Sequence, residues 1–482
     1  MQDTYIPTIG LEIHAELKTK SKMFCGCKND PDEKAPNTNV CPICMGHPGT
    51  LPVPNKEAIA HVLKVGLAVS GNLADFSEFD RKNYFYPDIP KGYQISQYKY
   101  PFVSGGYIDV KTKEDVKRIL ITRIHLEEDT AKSSHDTGDF SLVDYNRSSL
   151  PLMELVTEPV IHSGEEASAF AKELQLILRY LGAGDANMEK GEMRVEANIS
   201  VSKDPHTLGK KVEVKNLNSF KSVERAIAYE IDRHIGLLEN GEEIVQETRG
   251  FDESTGKTFS QRKKENSNDY RYFPEPDIPK IYISKEPSFS LEHLRGSMNE
   301  LPKEKRVRYE REFGIKQDDI EFFVNNPHLS SFFEQAIKHF CDDKECIKLA
   351  SNYIVSDLNG LMKNAGVVLP GQVFPSAFGE LMMMLRQGKL SSRGVKDILA
   401  ILFNEGGEPE VIAETNGWIL KNDPEVLKRI VEKILSNNDT VVQEYKSGKE
   451  SVINSLIGLC MKEAKGAGNP QMFREIIISM IK

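Results

Sequence analysis

Residues 194–201, RVEANISV, alternate polar and apolar side chains without an error. Arg194, Glu196, Asn198 and Ser200 fall on one side, and Val195, Ala197, Ile199 and Val201 on the other. A period of two marks a strand with one face in a core and the other in polar surroundings. Outward from this strand the pattern recurs. Residues 8–17, TIGLEIHAEL, set Ile9, Leu11, Ile13, Ala15 and Leu17 opposite Glu12, His14 and Glu16. Residues 118–127, RILITRIHLE, are also extended in character, and 212–215, VEVK, continue the alternation. Half-buried strands of this kind predict antiparallel pairing. Segments such as NDPDEKAPN and YPDIPKGY supply turns between them.

Two helices interrupt the strands. Ser163 and Glu166 form a capping-box pattern. Ala167, Phe170, Ala171, Leu174, Ile177, Leu178 and Leu181 then recur at helical spacing, and Gly182 ends the run. A second helix is expected from about Ser222 to Leu238. After PEPDIPKIYISKEPSF the composition changes. From about 295 onward LPKEKRVRYEREFGI, SSFFEQAIKHF, PSAFGELMMMLRQG and SSRGVKDILAILF all read as helical. EGGEPEVIAETNG, near 405–417, reads as a hinge into a last helical module. The fold class expected is therefore α+β, a large antiparallel sheet domain followed by helices.

The chain has 482 residues, 39% hydrophobic and 28% charged, so it can bury a core. That length suggests about three domains. No apolar run approaches the ~18 residues of a membrane helix. MQDTYIPTIGLEIHAELKTK lacks the basic start and apolar stretch of a signal peptide. A cytoplasmic location is expected. Lys plus Arg is 62 and Asp plus Glu 72, a net charge of −10. Alone, that balance argues against a nucleic-acid partner, since phosphate binding needs surplus cations. It is unevenly spread, however. Residues 421–482 carry ten Lys or Arg against eight acids, +2, leaving −12 for residues 1–420.

Four of the seven cysteines, Cys25, Cys27, Cys41 and Cys44, lie in one 20-residue window. C-x-C, 13 residues, then C-x-x-C is ligand spacing, and four thiolates suit a closed, tetrahedral, structural zinc site. Such a site leaves no open coordination position, so catalysis is expected elsewhere. A redox pair fits badly, because Cys41-Pro42-Ile43-Cys44 does not follow a strand and open a helix.

The polar strand faces repeat an unusual content. Glu12 and His14 come from one, and HLEEDTAK supplies His125, Glu127, Glu128, Asp129 and Lys132. Asn146-Arg147, Glu154, then Arg194, Glu196, Asn198, then Glu213, Lys215 and Asn216 follow. One such face is ordinarily just solvated. Carboxylates and imidazole mixed with Arg, Lys and Asn are also what a nucleotide–magnesium site needs: hard ligands for the cation, positive charge for the phosphate. No G-x-x-x-x-G-K-[ST] loop is present, so any ATP site is of a less familiar type. The pattern alone points to metal-dependent phosphoryl chemistry. Tyr84, Phe85 and Tyr86 read as core aromatics or as a substrate wall, and His125 is left outside the metal set.

Several longer segments carry a resemblance: GLEIHAELKTKSKMFC, PNTNVCPICMGHPGTLPVPN, FDRKNYFYPDIPKGYQISQ, ITRIHLEEDTAKSSH, DYNRSSLPLMELVTEP, EVKNLNSFKSVERAI, QETRGFDESTGKT, DYRYFPEPDIP and MKEAKGAGNP. Over essentially the whole chain it resembles the B subunits of the tRNA-dependent amidotransferases, the GatB/GatE family. The resemblance implies a cradle domain at 1–293, carrying the kinase and transamidase site and the zinc loop, a helical domain at 294–405, and a tRNA-binding helical tail at 406–482. It implies ATP-dependent conversion of Glu-tRNA(Gln) or Asp-tRNA(Asn) to the amide through an acyl phosphate. Ammonia would come from glutamine hydrolysed in an amidase A subunit, with a small C subunit completing a heterotrimer. A non-catalytic tRNA-binding scaffold is the alternative.

By motif position the resemblance assigns Mg²⁺ to His14, Glu128 and Glu154, with Glu12 beside them. Glu196 and Glu213 would hold a second cation or ATP–Mg²⁺, with Asn198 close by. Arg194, Lys215, Asn216, Arg147 and Lys132 would meet phosphate or acyl-phosphate oxygens. In the tail Lys449, Lys462 and Lys465 would meet tRNA phosphates. The chain departs from the family pattern at Glu196, where many relatives carry Asp, at Thr130-Ala131, and at Leu459 beside Gly458.

Overall fold

The structure is a computed structural model and describes residues 5–113, 115–134, 138–263, 270–340, 343–420, 424–447, 450–464 and 468–481. Two compact units divide the chain, Met1–Pro302 and Lys303–Lys482. The division falls beyond the expected 293 because Leu294 is buried in the core of the first unit.

The first unit is built on a ten-stranded sheet. Its long strands are β1 (Ile6–Glu16), β2 (Val116–Glu128), β3 (Pro151–Thr157), β4 (Met193–Ser202), β5 (Val212–Leu217), β6 (Glu247–Asp252) and β7 (Lys257–Lys263). The order is β7-β6-β5-β4-β1-β3-β2, continued by the short strands Val103–Ser104 and Asn72–Leu73, with Tyr107–Lys111 also on β2. The expectation of an antiparallel sheet needs one correction. β5 and β6 pair parallel, Glu213 opposite Thr248. The reason is the helix Phe220–Glu239 between them, since parallel neighbours need a crossover connection.

Three helices cover one face of the sheet: α1 (Lys56–Ala68), α2 (Gly164–Tyr180) and α3 (Phe220–Glu239). The Ser163 side chain accepts from the Glu166 amide and starts α2, as the capping box predicts; such a cap is worth about 1 kcal/mol. Ile9, Leu11, Ile13 and Ala15 of β1 join Val195, Ala197 and Ile199 of β4 in one core with Val62, Phe170, Leu174 and Ile227 of the helices. Full burial of such side chains contributes ~1.5–3 kcal/mol each. With one face so occupied, register is fixed, because a one-residue slip would bury Glu12 and His14 instead.

The second unit is helical throughout its described residues. The stretch expected as a hinge holds a helix, Pro409–Thr415, set between Gly406 and Gly407 on one side and Gly417 on the other, all at positive φ. The glycines punctuate the helix and do not dissolve it. Helices Pro424–Ser436, Ile453–Glu463 and Pro470–Ile481 share a core of Leu427, Val431, Leu456, Cys460, Phe473 and Ile477. Among the described residues no helix is long and apolar enough to cross a membrane.

Candidate functional site

The face of the sheet opposite the helices collects the polar side chains. Register decides which ones meet. His14 on β1 stands opposite Glu154 on β3, and Glu154 stands opposite His125 on β2. Two residues further along β2 the same face presents Glu127. His14 Nε2 lies 3.4 Å from Glu154 and 3.6 Å from Glu127. One ligand atom from each of the three falls within 4.8 Å of the others. His125 Nε2 backs the pair, 3.2 Å from Glu154 and 3.8 Å from Glu127, and Ser96 Oγ donates to Glu127 at 3.0 Å.

The third carboxylate expected in this group was Glu128, and the structure corrects it. Glu128 lies on the core side of β2 with Ile124 and Leu126, one residue out of phase with the polar face. It is paired there with Lys91 Nζ at 2.7 Å and accepts from the Ile95 amide at 2.9 Å. The period-two rule, applied from His125, would have found Glu127.

Electrostatics bind the trio. Burial alone would lower the pKa of His14, yet the hydrogen bond and charge of Glu154, with Glu127 and Glu196, raise it. His125 behaves alike and is pushed up to about 9. Burial likewise works against the ionised carboxyls, but His125 and His14 hold Glu154 well below the usual range. Glu127 is held down by His125 and by the charge of Lys82. Lys82, whose ammonium lies 5.1 Å from the Tyr270 ring, is a further cation at this face that the sequence reading did not single out. A divalent cation fits this donor set of one imidazole and two carboxylates.

A second group lies beside the first. Glu12 and His14 are two residues apart on β1, about 7 Å along the strand. Glu12 faces Glu196 on β4, and Glu213 on β5 is opposite Asn198. Ligand atoms of Glu12, Glu196 and Glu213 fall within 4.8 Å of one another. Lys215 Nζ sits 2.8 Å from Glu196 and 3.4 Å from Glu213. Burial would lower the pKa of Lys215, but Glu196, Glu213 and Glu12 raise it. Asn198 Nδ2 donates to Glu12 at 2.8 Å. The pairing of β4 with β5 shifts between Val195 and Ala197, a bulge that accommodates Asn216 at φ 59°. Asn216 itself points to solvent, and Lys215 is the residue aimed at the carboxylates.

A third group gathers the arginines. Asp129, fully buried, holds Arg147 Nη2 at 2.5 Å and Arg194 Nη2 at 3.2 Å, and Arg147 Nε also meets Glu16 at 3.1 Å. Burial and the charge of Asp129 push Glu16 up to about 7 against both arginines. Lys132 stays outside: its side chain is exposed and makes no ion pair among the described residues. Tyr84 is half-buried, whereas Phe85 is 94% and Tyr86 58% exposed, so those two are not core aromatics.

The four cysteines come together as their spacing predicts, with sulfurs within 4.8 Å of one another. The Cys41 amide donates to Cys44 Sγ at 3.1 Å. Bonds from Cys25, the Cys41 amide and the charge of Lys22 bring the Cys44 thiol down to about 5. This cluster can hold a structural metal, and its four soft donors suit zinc. In the tail Lys462 is exposed near the end of its helix. Lys449 and Lys465 lie outside the described residues.

Comparison with known proteins gives one consistent answer. Residues 7–288 match the family described as the GatB/GatE catalytic domain, and residues 331–481 that described as the GatB domain. The chain is 42% identical over 478 residues to the B subunit of the aspartyl/glutamyl-tRNA(Asn/Gln) amidotransferase of Persephonella marina, covering 99% of each. To the same-named protein from Thermotoga maritima it is 42% identical over 486 residues, again covering 99% of each. To that from Thermodesulfovibrio yellowstonii the identity is 42% over 480 residues and the coverage 99% of each.

Proposed function

The chain belongs to the GatB/GatE family, and we propose that it is the phosphorylating and amide-forming subunit of a glutamine-hydrolysing, tRNA-dependent amidotransferase. The reaction converts Glu-tRNA(Gln) or Asp-tRNA(Asn) to the amidated form. The observation that carries the reading is the pair of carboxylate groups on one polar sheet face, His14–Glu127–Glu154 beside Glu12–Glu196–Glu213. That face is too acidic to receive a polyphosphate unaided, so divalent cations must accompany it. Magnesium is the cation proposed, and ATP the phosphoryl donor.

In this reading the side-chain carboxylate of the misacylated residue attacks the γ-phosphorus of ATP. The bond from that phosphorus to the β–γ bridging oxygen breaks, and ADP leaves. Ammonia then adds to the acyl carbon and phosphate departs. The protein's part is placement and charge neutralisation. Lys215 sits at the edge of the second carboxylate group, ready to exchange Glu196 for a phosphate oxygen. Arg194 and Arg147 present guanidinium groups anchored on Asp129. His125 and Ser96 orient Glu154 and Glu127 from behind. Ammonia is supplied by an amidase subunit, a small third subunit completes the assembly, and the basic residues of the tail past 406, Lys462 among them, meet tRNA.

A scaffold that only presents tRNA would have no use for two pre-assembled carboxylate groups. The discriminating experiment is amidation of Glu-tRNA(Gln) and of Asp-tRNA(Asn), assayed separately in the assembled enzyme with Mg·ATP and glutamine. His14→Ala should abolish amidation of both while glutamine hydrolysis continues. Undiminished amidation would remove this face from the chemistry.

A further inference from the structure

Lys22 is among the largest fully buried side chains of the protein, 0% exposed. A buried ammonium is costly unless it faces negative charge. Its two neighbours explain it. Nζ lies 3.9 Å from Cys44 Sγ and donates to the Tyr145 carbonyl at 3.1 Å. Four thiolates around one divalent cation leave two negative charges, so a cation at this distance is well matched to a loaded cysteine site.

The Tyr145 carbonyl belongs to the turn 145–149 that follows the short strand Leu142–Asp144, and the cysteine loop grips both repeatedly. The Tyr145 amide donates to Asn37 Oδ1 at 2.8 Å, and the Asn37 amide to Asp144 at 3.0 Å. Asn146 accepts from the Asn39 amide at 2.8 Å. At the centre of this turn stands Arg147, which reaches away to Asp129 and Glu16 on the polar face.

We propose that Lys22 is the counter-charge of a metal held by the four cysteines and a positioning residue for the Arg147 turn. The metal then has a task beyond closing its own loop. It sets the anchor from which Arg147 is aimed at Asp129 and Glu16. The inference rests on the cysteines as a metal site and is independent of the amidation reading.

The test uses the full chain loaded with zinc, as wild type, Lys22→Met and Lys22→Arg. Zinc release to excess chelator is followed with a chromogenic indicator, and amide hydrogen exchange by mass spectrometry. Lys22→Met should release zinc about 10–100-fold faster, with Lys22→Arg nearer wild type. Amides of 143–149 should exchange faster in Lys22→Met while those of 247–252 do not change. Equal zinc release in wild type and Lys22→Met would overturn the proposal, as would a wild-type chain that holds no zinc. Should Lys22→Met not fold, stripping zinc from the wild type decides. Selective loss of protection at 143–149 supports the proposal, and unchanged protection there overturns it.

Discussion

Glu127 and Glu128 are chemically identical neighbours on one strand, yet the pleat sends them to opposite faces and so to different tasks. Glu127 stands among His14, Glu154 and Lys82. Glu128 neutralises Lys91 on the core side. Glu128→Gln should therefore act on stability: it leaves the largely covered Lys91 ammonium without its partner, at a cost of about 1–3 kcal/mol, read as a lowered denaturant midpoint. A buried carboxyl elsewhere gives a pH signature. Glu230 is 0% exposed on α3 and bonds Arg233, His234, Arg249 and Thr258. Burial opposes its ionisation, but the bonds from His234, Arg233 and Thr258 hold its pKa down to about 2 from 4.5. A depressed carboxyl stabilises the fold above its unfolded pKa and loses that contribution as pH falls through the folded one. The stability at stake between pH 4.5 and 2 is on the order of 3 kcal/mol. In thermal unfolding across that window, Glu230→Gln should flatten the acid limb; an acid limb parallel to wild type would contradict the assignment.

At the scale of elements, what was legible in the sequence was whatever has a local cause. RVEANISV and TIGLEIHAEL alternate because one face of each strand is buried, and they appear as β4 and β1. Ser163 and Glu166 start α2 because capping is a matter of three residues. The parallel pairing of β5 with β6 was not legible, since partner and direction depend on where the chain returns after α3. The helix Pro409–Thr415 was hidden by the flanking glycines. The candidate site was legible as a residue inventory, but its grouping was not, because grouping follows from register across strands. The bulge at Asn216 illustrates the point. Its left-handed backbone lets Lys215 face Glu196 while Leu217 returns to the core. Asn216→Gly should be tolerated, whereas a β-branched Asn216→Val should cost ~1–2 kcal/mol, measured by equilibrium denaturation. Equal stability of the two variants would show that the bulge imposes no such demand.

For the molecule as a whole, the net charge of −10 turns out to describe a site as much as a surface. Five glutamates, Glu12, Glu127, Glu154, Glu196 and Glu213, converge on one face of the central sheet. Overall acidity therefore did not exclude an RNA substrate, as the composition alone had suggested. It marks a face that must recruit cations before it can hold phosphate. The most direct measurement of that claim is phosphate release from ATP by the assembled enzyme in the presence of misacylated tRNA and magnesium, without an ammonia source. It compares wild type with Glu127→Gln and Glu128→Gln at a temperature where all three are folded. The arrangement predicts a loss of about 100-fold or more for Glu127→Gln, and at most a few-fold loss for Glu128→Gln. Phosphate release that survives Glu127→Gln, or that fails only in Glu128→Gln, would contradict it.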